Sequence, residues 1–200
     1  AQVTLALGLL FTLQGIPCLY YGTEQDLSGT VNSEGEHLPR QFEGVREALW
    51  GKPDAFSRDT ATYRYIQRMS ELRDRLPALR YGRQYFRPVS GNGRDFGLST
   101  DVGGIVAFSR ILGDMEVLVV ANTSPSHRFD GHVLIDTVIN SRHSAMQLDV
   151  SNLATPSYRP ALERGIAVVW EAGTRGAPFQ AAHVPVSLAP MEFQLFTQAV

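Results

Sequence analysis

A single cysteine, Cys18, among 200 residues rules out an intrachain disulfide. Its apolar neighbours Pro17 and Leu19 predict an inert, buried thiol that says little about compartment. An excess of positive charge is also absent. Eighteen Lys and Arg against twenty Asp and Glu leave a net charge of -2, which gives no general attraction to a phosphate backbone or an anionic bilayer, so neither nucleic acid nor membrane is an expected partner. The most apolar stretch, residues 3 to 21, is interrupted by Gln14-Gly15 and by Pro17, whereas a spanning helix needs about 20 continuous residues.

Several signatures of chemistry are missing too. No Gly-x-Ser-x-Gly elbow occurs. Gly91-Asn92-Gly93 reads as a turn, without the following helix that a nucleotide loop requires. His127 and His132 flank Asp130, the nearest thing to a metal cluster. Strand alternation around a turn would not aim both imidazoles at one ion, so no metal and no cofactor is expected.

What is present is a chain with 44% hydrophobic and 19% charged residues, ordinary for a folded protein with a sizeable core. It is organised around Gly15-Ile16-Pro17-Cys18-Leu19-Tyr20-Tyr21-Gly22-Thr23-Glu24. Before this stretch, Val3, Leu5, Leu7, Leu9, Leu10, Phe11 and Leu13 leave little polar face, which predicts a helix packed between neighbours and stopped near Gly15. Ile16 to Tyr21 lack polar alternation and predict a parallel strand covered on both faces. Such a helix and strand form half of a βα repeat. In an α/β barrel the carboxyl ends of the strands carry the chemistry, so Tyr21 and Glu24 would face the mouth. Glu24 could equally be a structural carboxylate bound to backbone amides or an arginine, and Tyr21 could stack a ligand ring or pack at the rim.

A long apolar helix, Gly-Ile-Pro, a short apolar run and then Tyr-Gly-x-Glu resemble the eighth barrel strand of the α-amylase family, glycoside hydrolase family 13. Arg46-Glu47-Ala48-Leu49-Trp50-Gly51 resembles a loop after that strand in many members. The resemblance covers nearly the whole chain, with its motifs concentrated in residues 3 to 80. It implies a retaining enzyme acting on α-glucosidic bonds. The family's nucleophilic Asp follows strand four, its acid/base Glu follows strand five, and a third Asp, usually preceded by His, follows strand seven. All three would then lie before residue 1. None of His37, His127, His132, His143 and His183 is followed by Asp. The chain is therefore expected to be the C-terminal portion of such an enzyme, inactive alone, with an α-glucan or oligosaccharide as the partner of the full-length protein and no cofactor of its own. A non-catalytic, glycosidase-like binding or assembly subunit is the alternative, and a stand-alone sugar-binding sandwich is a second.

Residues 25 to 60 show no sustained period and predict a long loop, of the kind that is usually functional or disordered. Arg40, Phe42, Arg46 and Trp50 in it suit sugar stacking and hydroxyl recognition; Phe42 and Trp50 could instead only anchor the loop. Tyr21, Glu24, Arg46 and Trp50 are the candidate substrate-binding residues, and no catalytic residue is assigned.

Asp59 or Thr60 can cap a helix running to Leu76, with Tyr65, Met69, Leu72 and Leu76 on one face and Pro77 ending it. From Arg83 the period changes to two. Strands are predicted at 83–89, 94–99, 104–111, 115–122, 131–137, 144–150, 165–171 and 184–197, the last broken by Pro190. The clearest hairpin turns at Gly113-Asp114. The expected architecture is α/β plus all-β: residues 1–79 as the end of a (β/α)8 barrel, and residues 80–200 as an antiparallel Greek-key β-sandwich.

Overall fold

The computed structural model describes residues 1–27, 49–51, 55–98 and 104–199. They divide into two compact units, one of Ala1–Ile16 with Leu72–Val200 and the other of Pro17–Glu71.

The first unit is mostly β-sheet. Its strands in chain order are β1 (Arg83–Phe86), β2 (Val89–Ser90), β3 (Asp95–Gly97), β4 (Ile105–Leu112), β5 (Met115–Asn122) and β6 (Phe129–Ile135). They continue with β7 (Met146–Ser151), β8 (Glu163–Glu171), β9 (Thr174–Arg175), β10 (Phe179–Leu188) and β11 (Phe193–Gln198). Five form one sheet in the order β1-β4-β5-β11-β7, and six form another in the order β10-β6-β2-β3-β8-β9, where β10 also pairs with β8. The pairings are antiparallel except β3 with β8, which is parallel.

Alternation along the strands sends one set of side chains between the sheets. Ile105, Leu118 and Phe196 from the first sheet meet Val89, Val133 and Val184 from the second in one buried core. Burying each such side chain contributes about 1.5–3 kcal/mol. A smaller cluster, Phe96, Leu134, Ala167 and Ala181, covers the opposite face of the six-stranded sheet. The hairpin turn is where the sequence places it: Leu112 faces Met115 in the register of β4 and β5, and Gly113 takes φ 61°, the left-handed conformation that a two-residue loop with glycine first requires. Gly131 meets a different demand. A Cβ there would lie 2.4 Å from the Ser90 carbonyl oxygen, so only glycine lets β6 approach β2 so closely.

Helix α1 (Gln2–Thr12) buries Leu5, Leu7, Phe11 and Thr12 and lies against β5 and β11. Helix α2 (Ala61–Arg75) starts as expected, with the Thr60 hydroxyl accepting the Tyr63 N–H at 2.9 Å, the N-cap bond that satisfies an otherwise orphaned donor. It stops before Pro77, and a single further turn, α3 (Pro77–Tyr81), follows with proline in its first turn.

The predicted strand at 16–21 does not form. Ile16 to Tyr20 take no regular secondary structure, and the next six residues, 21–26, are turns. Ile16 is 93% exposed, and Cys18 is exposed rather than buried. The physical reason is that a parallel strand is sheltered by neighbours on both sides, and among the described residues no strand runs beside this one.

Candidate functional site

Within residues 17–71, Tyr21 and Glu24 share the turn at 21–26. The turn is closed by Gln25 N–H to the Gly22 carbonyl at 3.1 Å and Leu27 N–H to the same oxygen at 3.0 Å. The Thr23 hydroxyl adds a bond to the Tyr20 carbonyl at 2.7 Å. The start of α2 fixes the turn from outside: the Thr60 hydroxyl donates to the Glu24 carbonyl, and the Thr62 hydroxyl donates to the Asp26 carboxylate. Thr60 therefore caps the helix and pins the turn with one oxygen. Tyr20 and Tyr21 stand side by side, ring centroids 4.6 Å apart and tilted by 35°, both exposed. Glu24 is half-buried, and its Oε2 is buried with no hydrogen-bond partner among the described residues. An oxygen so placed costs free energy until a donor reaches it.

Trp50 is 87% exposed. Arg46, with Arg40 and Phe42, lies outside the described residues. The structure thus brings two of the four predicted residues, Tyr21 and Glu24, onto one turn.

Among the described residues of the β-rich unit, two carboxylates are almost wholly buried, and both are taken up by donors. Glu116 accepts from Arg87 at 2.7 Å, Ser109 at 2.5 Å, the Asp136 N–H at 3.0 Å and Asn140 at 2.5 Å. Glu192 accepts from Ser151 at 2.9 Å, Thr155 at 2.6 Å, the Ala189 N–H at 2.7 Å and Gln194 at 2.8 Å. Carboxylates this fully engaged hold loops and strands together; they are not poised to exchange protons with a substrate.

One cluster was not legible in the sequence. The register of β10 with β8 sets His183 opposite Glu163, and that of β10 with β6 sets His183 opposite Leu134, two residues from His132 and on the same face. His132 Nε2 lies 3.2 Å from Glu163 Oε2, and His183 Nδ1 lies 3.7 Å from the same oxygen. The two rings meet edge to face at 5.0 Å. Burial holds the His183 imidazole below its usual range, the neighbouring His132 acts in the same direction, and Glu163 opposes both. His127, which the sequence sets beside His132, instead contacts the Ser126 hydroxyl at 3.0 Å in its own turn.

No family model matches the chain. Among curated proteins it is 29% identical over 128 residues to a cyclomaltodextrin glucanotransferase of Geobacillus stearothermophilus, covering 64% of this chain and 14% of that protein. Over 171 residues it is 26% identical to a cyclomaltodextrin glucanotransferase of Bacillus sp. (strain 6.6.3), covering 83% of this chain and 20% of the relative. An α-amylase of Niallia circulans is 28% identical over 123 residues, covering 60% of this chain and 20% of the relative. The chain therefore spans between one seventh and one fifth of the length of these relatives.

Among solved structures, the three-domain cyclomaltodextrin glucanotransferase CldA superposes with a TM-score of 0.58 at 20% identity, over 99% of this chain and 32% of its own. An α-amylase from H. orenii gives 0.53 at 15% identity, over 98% of this chain and 35% of its own. The fold is that of the β-rich C-terminal region of α-amylase-type enzymes. The chain is thus similar, over part of their length, to cyclomaltodextrin glucanotransferases and an α-amylase.

Proposed function

We propose that the chain is the C-terminal portion of an enzyme that hydrolyses or transfers α-glucosidic bonds in glucans or oligosaccharides. In this reading residues 1–79 complete a (β/α)8 barrel and residues 80–200 form an appended Greek-key sandwich. The observation that carries it is the Tyr21–Glu24 turn, which follows the Gly-Ile-Pro stretch, is pinned by the cap of α2, and presents an exposed tyrosine pair beside a carboxylate oxygen that has no partner among the described residues. The similarity to cyclomaltodextrin glucanotransferases and an α-amylase supports the choice of substrate class.

The chemistry of a retaining glycosidase needs two carboxyl groups about 5 Å apart, one to attack the anomeric carbon and one to protonate the leaving oxygen. Glu116 and Glu192 are saturated by donors. Glu24, whose Oε2 has no hydrogen-bond partner among the described residues, is given a supporting role: it would accept a hydrogen bond from a group at the barrel mouth, while Tyr21, Arg46 and Trp50 contact sugar. In the complete protein, Tyr21→Ala, Arg46→Ala and Trp50→Ala tested on starch and maltooligosaccharides should raise KM for at least one of the three, with kcat changed little. Unchanged KM in all three would overturn the assignment of the sugar contacts.

A further inference from the structure

The outer face of the six-stranded sheet carries His132, Glu163 and His183, and neither the proposed glucan chemistry nor the sandwich core uses them. We propose that these three side chains form a binding site for a borderline divalent cation of the zinc type. Their donor atoms, one from each residue, all lie within 4.8 Å of one another. Glu163 Oε2 stands between the rings, 3.2 Å from one nitrogen and 3.7 Å from the other. A tetrahedral ion with arms of about 2.0–2.2 Å sets its ligands roughly 3.3–3.6 Å apart. Two of the three edges are thus nearly in place, and the pair of rings has to close by at most about 1.5 Å.

The donor set selects the ion. Two imidazoles and one carboxylate suit zinc and its neighbours, whereas calcium and magnesium ask for six or more oxygens. Three protein ligands leave the fourth position to solvent, and the Glu163 side chain, 51% exposed, keeps that side open.

The rings are held where they are. Phe96 packs 5.5 Å from the His183 ring. The turn at Gly93 (φ 71°) runs close to His132: a Cβ at Gly93 would come within 3.3 Å of the imidazole. Ser90 and Asn92 stiffen that turn: the Ser90 hydroxyl accepts the Gly93 N–H at 3.1 Å, and the Asn92 side chain accepts the Asp95 N–H at 2.9 Å. His183 Nδ1 is buried and has no hydrogen-bond partner among the described residues, although it faces the carboxylate. A buried donor atom without a partner costs free energy that coordination would recover. Ligands that need little reorganisation are what a metal site requires.

The test uses the 200-residue chain, stripped with EDTA and dialysed into a non-chelating buffer. Zinc chloride is titrated calorimetrically into this chain and into the variants Glu163→Gln and His132→Asn, both at positions open enough to keep the fold, which circular dichroism checks. One zinc should bind per chain, affinity should fall at least about tenfold in each variant, and zinc should raise the melting temperature of the parent chain more than that of either variant. Cobalt(II) in place of zinc should give the visible absorption of a four-coordinate ion. An unchanged isotherm in both variants would assign the metal to other histidines and overturn the proposal. So would the absence of heat and of any melting shift in excess zinc.

Discussion

The guanidinium of Arg110 donates to the Thr12 carbonyl at 2.7 Å, joining the last turn of α1 to a central strand 98 residues away. Its other terminal nitrogen donates to the Gly82 carbonyl at 2.8 Å, and the residue is 1% exposed. Arg73 adds bonds to the carbonyls of Phe11 and Gly15, both at 2.6 Å. A helix ends with unpaired carbonyls and a partial negative charge; here two arginines supply the missing donors. Burial lowers the Arg110 pKa, and the charge of Arg73 lowers it further.

Arg110→Met should therefore destabilise the chain by about 3 kcal/mol, because it strands two buried carbonyls that now receive charged donors. Urea denaturation followed by circular dichroism measures this. A midpoint equal to that of the parent chain would mean that α1 docks by apolar contact alone.

Glu116 offers a second test. Its side chain is fully buried and pairs with Arg87 at 2.7 Å. Glu116→Gln keeps the shape but removes the charge, and leaves the Arg87 guanidinium, itself mostly buried, without its counter-ion. The expected loss is about 3–5 kcal/mol. In a double-mutant cycle with Arg87→Met, the coupling should account for most of that loss.

The strands were largely legible in the sequence because a period of two records which face is buried, and this signal needs no partner to be read. The turn at Gly113 and the cap at Thr60 were legible for the same local reason. The stretch 16–21 was not, since its apolar composition says that it wants to be covered and says nothing of whether a cover is at hand. Arg110, His132, Glu163 and His183 were also beyond reach. Their partners are set by sheet order and register, including the parallel pairing of β3 with β8, and no short motif encodes those. His127 and His132 are close in sequence, but it is His183, 51 residues beyond His132, whose ring meets that of His132 at 5.0 Å. Tyr21 and Glu24 were expected at the end of a strand and instead share the turn at 21–26, and nothing in the sequence pointed to the Glu24 oxygen that has no partner among the described residues.

Expressed separately, residues 80–200 should fold and residues 1–79 should not. The sandwich closes its own core between two sheets, and about 120 residues suffice for an independent domain. It should nonetheless melt below the whole chain, because Arg110 loses Thr12 and the Asn152 amide loses its 3.1 Å bond to the Ala1 carbonyl. The first piece keeps an apolar helix without its neighbours and should aggregate. Solubility and the sharpness of thermal melting separate the two outcomes; a monomeric, cooperatively melting 1–79 would contradict the barrel reading.

If the complete protein is the enzyme proposed, Glu24→Gln should retain a measurable rate and act mainly on stability or substrate affinity, as the supporting role proposed for Glu24 requires. A fall in kcat on the order of 10⁴-fold with folding intact would instead put Glu24 in the chemical step.

The most direct measurement is a reducing-sugar assay of the purified 200-residue chain with starch, maltooligosaccharides and an aryl glucoside. In the proposed reading this chain supplies neither the nucleophile nor the acid of the oxocarbenium-like transition state, and no release above the blank is predicted. Turnover that disappears in Glu24→Gln would contradict it.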